Sequence, residues 1–165
     1  MKYNFVLDEN IIILAQKGED PHGHPDMTCL ELITAMERKC HTLVLGPSFW
    51  EKYSRQIRTL QRQRIPLVPN LLAIVKSMLV NREKEQVMLS DFDLTVIDGL
   101  EQLQGIDAGD REFVRAAASV NGAILVTTDS PLMERLRQQG IDQKYGFTVL
   151  SPQEALTMAG AVASD

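Results

Sequence analysis

Hydrophobic and polar positions alternate along this chain in blocks that predict strands followed by helices. Short apolar runs, each suited to a strand buried in a parallel sheet, stand at residues 3–7, 41–46, 123–126 and 147–150. Apolar residues recur at helical spacing over 11–16, 27–39, 49–64, 71–82, 107–120, 131–139 and 152–158. This succession predicts one α/β domain over 1–158, with a parallel sheet covered by helices and a frayed tail at 159–165. The stretch 86–104 stays open between a short strand and a helix on an insertion.

Carboxylates follow two of the predicted strands. Asp8 closes the first strand in LDEN, and Asp129 closes the 123–126 strand in VTTD. Asp107 and Asp110 open the helix that leads into this second strand. Ligands of open α/β sheets bind at the carboxyl ends of strands, so these acids form a candidate site. The alternative is local: Asp107 and Asp110 as a capping pair contributing ~1 kcal/mol, and Asp129 as an ordinary turn residue.

A predicted helix begins after Pro47-Ser48 and has two distinct faces. Its apolar seam consists of Trp50, Tyr53, Ile57 and Leu60. Away from that seam, the helical period brings together Glu51, Arg55, Arg58 and Arg62. This charged face is either a solvated surface or a set of phosphate contacts beside a carboxylate.

The histidines and cysteines give little sign of a metal site or a disulfide. His22 and His24 lie in the polar loop GEDPHGHPD, which favours a plain exposed loop, because two histidines without further ligands are a weak zinc signal. Cys29 and Cys40 fall in the stretch DMTCLELITAMERKC, and if this is one continuous helix they are roughly 16 Å apart at ~1.5 Å rise per residue. A disulfide cannot span that distance, so both thiols are expected to be reduced.

Composition limits the classes of protein to consider. With 44% hydrophobic and 24% charged residues, the chain is typical of a globular domain. A net charge of −5 argues against a generic nucleic-acid-coating protein, although it allows a local basic surface. The first residues reach an aspartate too soon for a signal peptide, and no apolar run approaches a membrane span, so a cytoplasmic location is expected.

A cluster of acids at one sheet edge implies a cation. Asp8, Asp110 and Asp129 are the principal candidates, with Glu51 and Asp107 as supporting ones. Clustered carboxylates repel one another unless a cation neutralises them or some are protonated. Hard oxygen ligands without cysteine suit Mg²⁺ or Mn²⁺, ions that activate water at a phosphodiester.

Five short motifs resemble those of PIN-domain proteins, and in particular the toxin-type ribonucleases of toxin–antitoxin systems. They are FVLDEN, LGPSFWEKY, IDAGDREFVRAAA, AILVTTDSPL and FTVLSPQEAL, which together span nearly the whole chain except 66–104. The resemblance implies a Rossmann-like three-layer α/β/α fold with a mainly parallel sheet of four or five strands. It also implies a metal-dependent endoribonuclease that acts on RNA, and it leaves room for an antitoxin partner and a homodimer.

The resemblance assigns roles residue by residue. It implies metal ligands among Asp8, Glu51, Asp107, Asp110 and Asp129, and residues that orient them at Asn10 and Thr127. The chain departs from the family at Glu9, a position where the family often carries Thr. The second acidic motif can be registered on Glu51 or on Lys52, and Glu51 is preferred because only a carboxylate binds a cation. Contacts to the RNA backbone are expected from Arg55, Arg58 and Arg62.

Two other functions compete with this interpretation. VMLSDFDLTVIDG resembles the first motif of haloacid-dehalogenase-type phosphatases, with Asp91 as nucleophile and Asp93 as acid/base. Only 72 residues follow Asp93, which is few for the rest of such a sheet. The second alternative is a degenerate PIN module that binds without catalysis and whose acids only cap helices.

Overall fold

The computed structural model describes residues 1–46, 48–63, 86–88, 106 and 108–160, and in this part of the chain strands and helices alternate. The strands are β1 (Asn4–Leu7), β2 (Thr42–Leu45), β3 (Gln86–Met88), β4 (Ile124–Val126) and β5 (Thr148–Leu150). The helices are α1 (Glu9–Lys17), α2 (Thr28–Arg38), α3 (Phe49–Arg62), α4 (Ala108–Ser119), α5 (Ser130–Gln138), α6 (Ile141–Tyr145) and α7 (Pro152–Gly160). The predicted α/β class is confirmed.

The sheet is parallel throughout, in the order β3-β2-β1-β4-β5. Strand β1 lies at its centre, where Phe5 is in register with Leu43 of β2 on one side and Ile124 of β4 on the other. From β1 the chain builds outward to β3, then returns to place β4 on the free side of β1. The direction of winding therefore reverses between β1 and β4, as in Rossmann-like folds.

Helices flank the sheet and close its core. Helix α2 packs against α1 and α7, while α4 contacts β1, β2 and β4 as the chain crosses back over the sheet. All residues of β2 and β4 are buried, which explains why these strands read as uninterrupted apolar runs.

Helix α7 is fastened to the start of the sheet through the buried side chain of His41. The Nδ1 atom accepts the Tyr3 backbone N–H at 3.1 Å, and Nε2 lies 3.1 Å from the Ala159 carbonyl oxygen. Since a carbonyl oxygen can only accept, Nε2 carries the proton and the ring is neutral in this arrangement. One imidazole thus joins β1, β2 and the last helix.

Several local features differ from the predicted pattern. Helix α6 was not predicted; it is only five residues long and lies between Gly140 and Gly146, both in the left-handed conformation with φ of 65° and 71°. Strand β3 falls in the stretch that sequence left open. The predicted helix over 71–82 and the frayed tail beyond residue 160 lie outside the described residues. In α3, Phe49 joins Tyr53 and Leu60 in the interior.

Both cysteines are free thiols, Cys29 buried in α2 and Cys40 exposed after it. Among the described residues, no helix has the length and apolar character needed to cross a membrane.

Candidate functional site

Two loops meet where the winding of the sheet reverses. Asp8 directly follows β1, and Thr127, Thr128 and Asp129 follow β4. The backbone N–H of Asp8 donates to the Val126 carbonyl at 3.1 Å, which holds the two strand ends side by side. This point at the carboxyl edge is the usual ligand position in open α/β sheets.

The Asp8 carboxylate is buried and held at both oxygens. Its side chain begins α1 as the N-cap, with Oδ1 accepting the Asn10 backbone N–H at 3.2 Å. Its Oδ2 accepts the Thr127 hydroxyl at 2.9 Å, and the residue is only 3% exposed. Burial raises the pKa of Asp8 above its usual range despite these hydrogen bonds, and the nearby carboxylates of Glu9 and Asp129 raise it further. The site thus disfavours an uncompensated negative charge.

Thr127 links Asp8 to the second acid. Its hydroxyl donates to Asp8 and accepts the Asp129 backbone N–H at 3.1 Å, and its side chain is fully buried. Asp129 in turn caps α5, with Oδ1 accepting the Leu132 N–H at 3.0 Å. Each aspartate therefore caps a helix, and the Asp129 charge also acts on Asp8, so the capping and ligand interpretations are compatible.

Tyr53 of α3 holds the end of β1 through a hydrogen bond. Its hydroxyl donates to the Leu7 carbonyl oxygen at 2.6 Å, and the ring is completely buried. Burial raises the pKa of Tyr53 well above its usual range, and the negative charges of Asp8 and Glu9 add to this effect. The phenol remains a donor, and it ties α3 to the residue before Asp8.

A second polar cluster, which sequence reasoning missed, joins α3 to α4. The Glu112 Oε2 atom accepts the Ser48 hydroxyl at 2.7 Å and forms an ion pair with Lys52. Burial alone would raise the pKa of Glu112, but the hydrogen bonds from Lys52 and Ser48 outweigh it and hold the pKa below its usual range. Lys52 Nζ lies 5.3 Å from the centroid of the Phe113 ring, and that ring packs against Phe49 with centroids 4.4 Å apart.

The remaining predicted ligands and RNA contacts that the structure describes lie on α3 and in the first turn of α4. Glu51 has a side chain 72% exposed, and it pairs with Arg55 at 3.3 Å. Lys52, and not Glu51, is thus the residue of that turn that contacts α4. Arg58 and Arg62 are exposed on the same helix. Asp110 is partly buried in the first turn of α4, whereas Asp107 lies outside the described residues.

Asn10 reaches Asp8 through its backbone, and its side chain is exposed. In the loop before α2, the Asp20 Oδ1 atom accepts the backbone N–H groups of His22 and His24 at 2.8 and 2.9 Å. The His24 ring lies 3.3 Å from Asp20 Oδ2. These contacts give the two histidines a loop-forming role.

A divalent cation requires several oxygen ligands at one place. Asp8 and Asp129 provide carboxylates after adjacent strands, and a cation between them would offset the repulsion that the Asp129 and Glu9 charges exert on Asp8. Within the described ranges, no three His, Cys, Asp or Glu side chains are grouped closely enough to hold a metal ion. Of the five predicted ligands, Asp8 and Asp129 interact with each other, and Asp107 lies outside the described residues.

Comparison with family models, with curated proteins and with solved structures finds no match to this chain. The acids of the phosphatase-like motif, Asp91 and Asp93, lie outside the described residues.

Proposed function

We propose that this protein is a metal-dependent endoribonuclease of the PIN kind, which hydrolyses phosphodiester bonds of RNA in the cytoplasm. The observation that carries the proposal is the position of Asp8 and Asp129 at the switch point of a parallel sheet, where the Thr127 hydroxyl donates to the Asp8 carboxylate and accepts the Asp129 backbone N–H. Acids at this position, rather than elsewhere on the surface, are typical of a ligand site. A role as the toxin of a toxin–antitoxin pair belongs to the same proposal.

The proposed cation is Mg²⁺ or Mn²⁺, held by Asp8 and Asp129 with Asp110 and Asp107 as further candidates. When bound, such an ion supplies positive charge at the phosphate and makes a water more acidic. The chain's own part is to fix the carboxylates. Thr127 and the Asn10 N–H each take one oxygen of Asp8, and they hold its remaining lone pairs in a set direction.

RNA binding is assigned to the exposed face of α3. Arg55, Arg58 and Arg62 extend along about two turns of that helix, and all three side chains reach solvent. Because the whole chain carries a net charge of −5, attraction to RNA must come from a local surface of this kind. The ion pair of Arg55 with Glu51 is highly exposed, so it can exchange for a phosphate at little cost.

The decisive experiment replaces Asp8 with Asn and measures stability and cleavage together. Asn serves nearly as well as Asp at a helix N-cap and keeps the shape, but it removes the charge that a divalent ion needs. We expect Mn²⁺ to raise the melting temperature of the wild type by mass action and to leave that of Asp8→Asn unchanged. Cleavage of single-stranded RNA should fall by orders of magnitude in the variant.

The matched control is Asp142→Asn. Asp142 also accepts a local backbone N–H, that of Gln143 at 2.9 Å, but it lies on the short helix α6. This control should respond to Mn²⁺ and cleave RNA like the wild type. Cleavage retained by a folded Asp8→Asn protein would refute the proposal. Binding of Mn²⁺ without cleavage would identify a non-catalytic module, and anomalous density at Asp91 and Asp93 would favour the phosphatase.

A further inference from the structure

A cavity of about 260 Å³ lies directly beside the candidate active site. Thr127 and Thr128 line it after β4, Ser151 and Pro152 line it after β5, and residues of the loop 19–26 line it from another side. Thr127 is therefore shared: its hydroxyl holds Asp8 while the residue also lines the cavity. A group in the cavity would sit next to a phosphate bound at Asp8 and Asp129.

The size and the lining of the cavity indicate what kind of group it can hold. Pockets for drug-sized ligands typically have about 300–1,000 Å³, so this volume suits a single planar ring system. Leu14 and Met133 provide apolar surface, and hydroxyls of Thr128 and Ser130 provide hydrogen-bonding groups. Proteins that read single-stranded RNA accept unstacked bases in such pockets and bond their edges.

Three carboxylates line the cavity, and their contacts distinguish them. Glu19 pairs with Lys17 at 3.1 Å. Both oxygens of Asp20 are engaged with the loop that contains His22 and His24. Asp26 uses only Oδ1, which accepts the Thr28 N–H at 2.7 Å, and Oδ2 has no hydrogen bond to the described residues. Of the three, Asp26 is the carboxylate that a backbone N–H orients and that has no ion pair among the described residues.

We propose that this cavity binds an unpaired guanine of the RNA substrate and that Asp26 recognises it. A carboxylate only accepts hydrogen bonds. Guanine presents two neighbouring N–H donors on its Watson–Crick edge, which match a carboxylate in a bidentate pair. Uracil presents a single N–H between two carbonyl oxygens, which a carboxylate repels. The inference rests on the proposed function for its class of substrate.

Binding to the cavity can be tested without any cleavage. Guanosine and uridine 5′-monophosphates share the ribose and phosphate, so a difference in their affinity isolates the base. The methyl signal of Met133, which lines the cavity, reports occupancy by NMR, and that of the core residue Met36 serves as an internal control. We expect guanosine monophosphate to bind more tightly and to shift the Met133 signal.

The variant Asp26→Asn keeps an acceptor for the Thr28 N–H but loses the second acceptor oxygen. It should weaken guanosine monophosphate binding by roughly 5- to 150-fold, the range for one bidentate base contact, and leave uridine monophosphate unaffected. Asp142→Asn is again the matched control and should change neither. Equal binding of the two nucleotides, or an Asp26→Asn protein with unchanged preference, overturns the guanine assignment.

Cleavage then separates this inference from the proposed function. Uridine tracts that contain one G, one A or no purine are incubated with Mn²⁺ and the wild type. Faster cleavage of the tract with G, lost in Asp26→Asn but not in Asp142→Asn, supports the inference. Cleavage of all tracts at one rate overturns the guanine subsite while the nuclease stands. Absence of cleavage with selective guanosine monophosphate binding refutes the nuclease and retains the cavity as a guanine site.

Discussion

Removing the Thr127 hydroxyl should destabilise the protein by an amount that depends on pH. Thr127→Val keeps the shape of this fully buried side chain but deletes the donor to Asp8 and the acceptor for the Asp129 N–H. A hydrogen bond to a charged group contributes about 1.5–3 kcal/mol and a neutral one about 0.5–1.5 kcal/mol. We therefore expect Thr127→Val to lower the free energy of unfolding by about 2–4 kcal/mol where Asp8 is ionised.

The sign of the pH dependence follows from the pKa of Asp8, which burial raises above the ordinary value of 3.8. A carboxyl group with a raised folded pKa stabilises the folded state at low pH, and this contribution is lost as the pH rises through the folded pKa. Loss of the Thr127 donor raises that pKa further. The difference between wild type and Thr127→Val should therefore be smaller below about pH 4, where the loss of the acceptor for the Asp129 N–H remains, and largest above the folded pKa of Asp8 in the variant.

Urea unfolding at several pH values measures both effects. Thr127→Ser is the control, because it keeps the hydroxyl and loses one buried methyl, at a cost of about 0.8 kcal/mol that should not depend on pH. If Thr127→Val were no less stable than Thr127→Ser at about pH 8, the hydroxyl would not hold Asp8, and the linkage of the two strand ends would be wrong.

Two further predictions concern α3. Tyr53→Phe leaves the buried Leu7 carbonyl without its donor and should cost about 1–3 kcal/mol of unfolding free energy in a denaturation experiment; an unchanged stability would mean that water replaces the hydroxyl. Replacing Arg55, Arg58 and Arg62 together by Ala should weaken RNA binding and reduce the slope of log K against log salt by about 2–3 units. Fluorescence anisotropy measures both, and an unchanged slope would show that RNA does not bind to this face of α3.

The local parts of the fold were predictable because their signals are local. Apolar runs gave β1, β2, β4 and β5, and the acids Asp8 and Asp129 were assigned to strand ends from their immediate neighbours alone. The order of the strands in the sheet could not be predicted in this way, because it depends on residues far apart in the chain. That Asp8 and Thr127 touch depends on β4 pairing with β1, and no residue near either one specifies this partner.

The orientation of α3 shows why side-chain contacts were harder. The predicted seam shared Tyr53 and Leu60 with the observed core, but the structure also buries Phe49. Each residue of a helix is rotated by about 100° from the one before, so Lys52, three residues after Phe49, lies on nearly the same face of α3 as Phe49. On that face it contacts α4. Its partner Glu112 is 60 residues away, and such a pair leaves no trace in sequence periodicity.

The Asp8–Thr127 contact also sets the order in which the site can be made. The two residues are separated by 119 positions, so the first strand leaves the ribosome long before its partner exists. At about 5–20 residues per second, roughly 6–24 s of synthesis separate them. During that interval Asp8 has neither its hydroxyl donor nor Asp129 beside it. The proposed nuclease site would thus stay incomplete beside its own message until most of the chain has been translated.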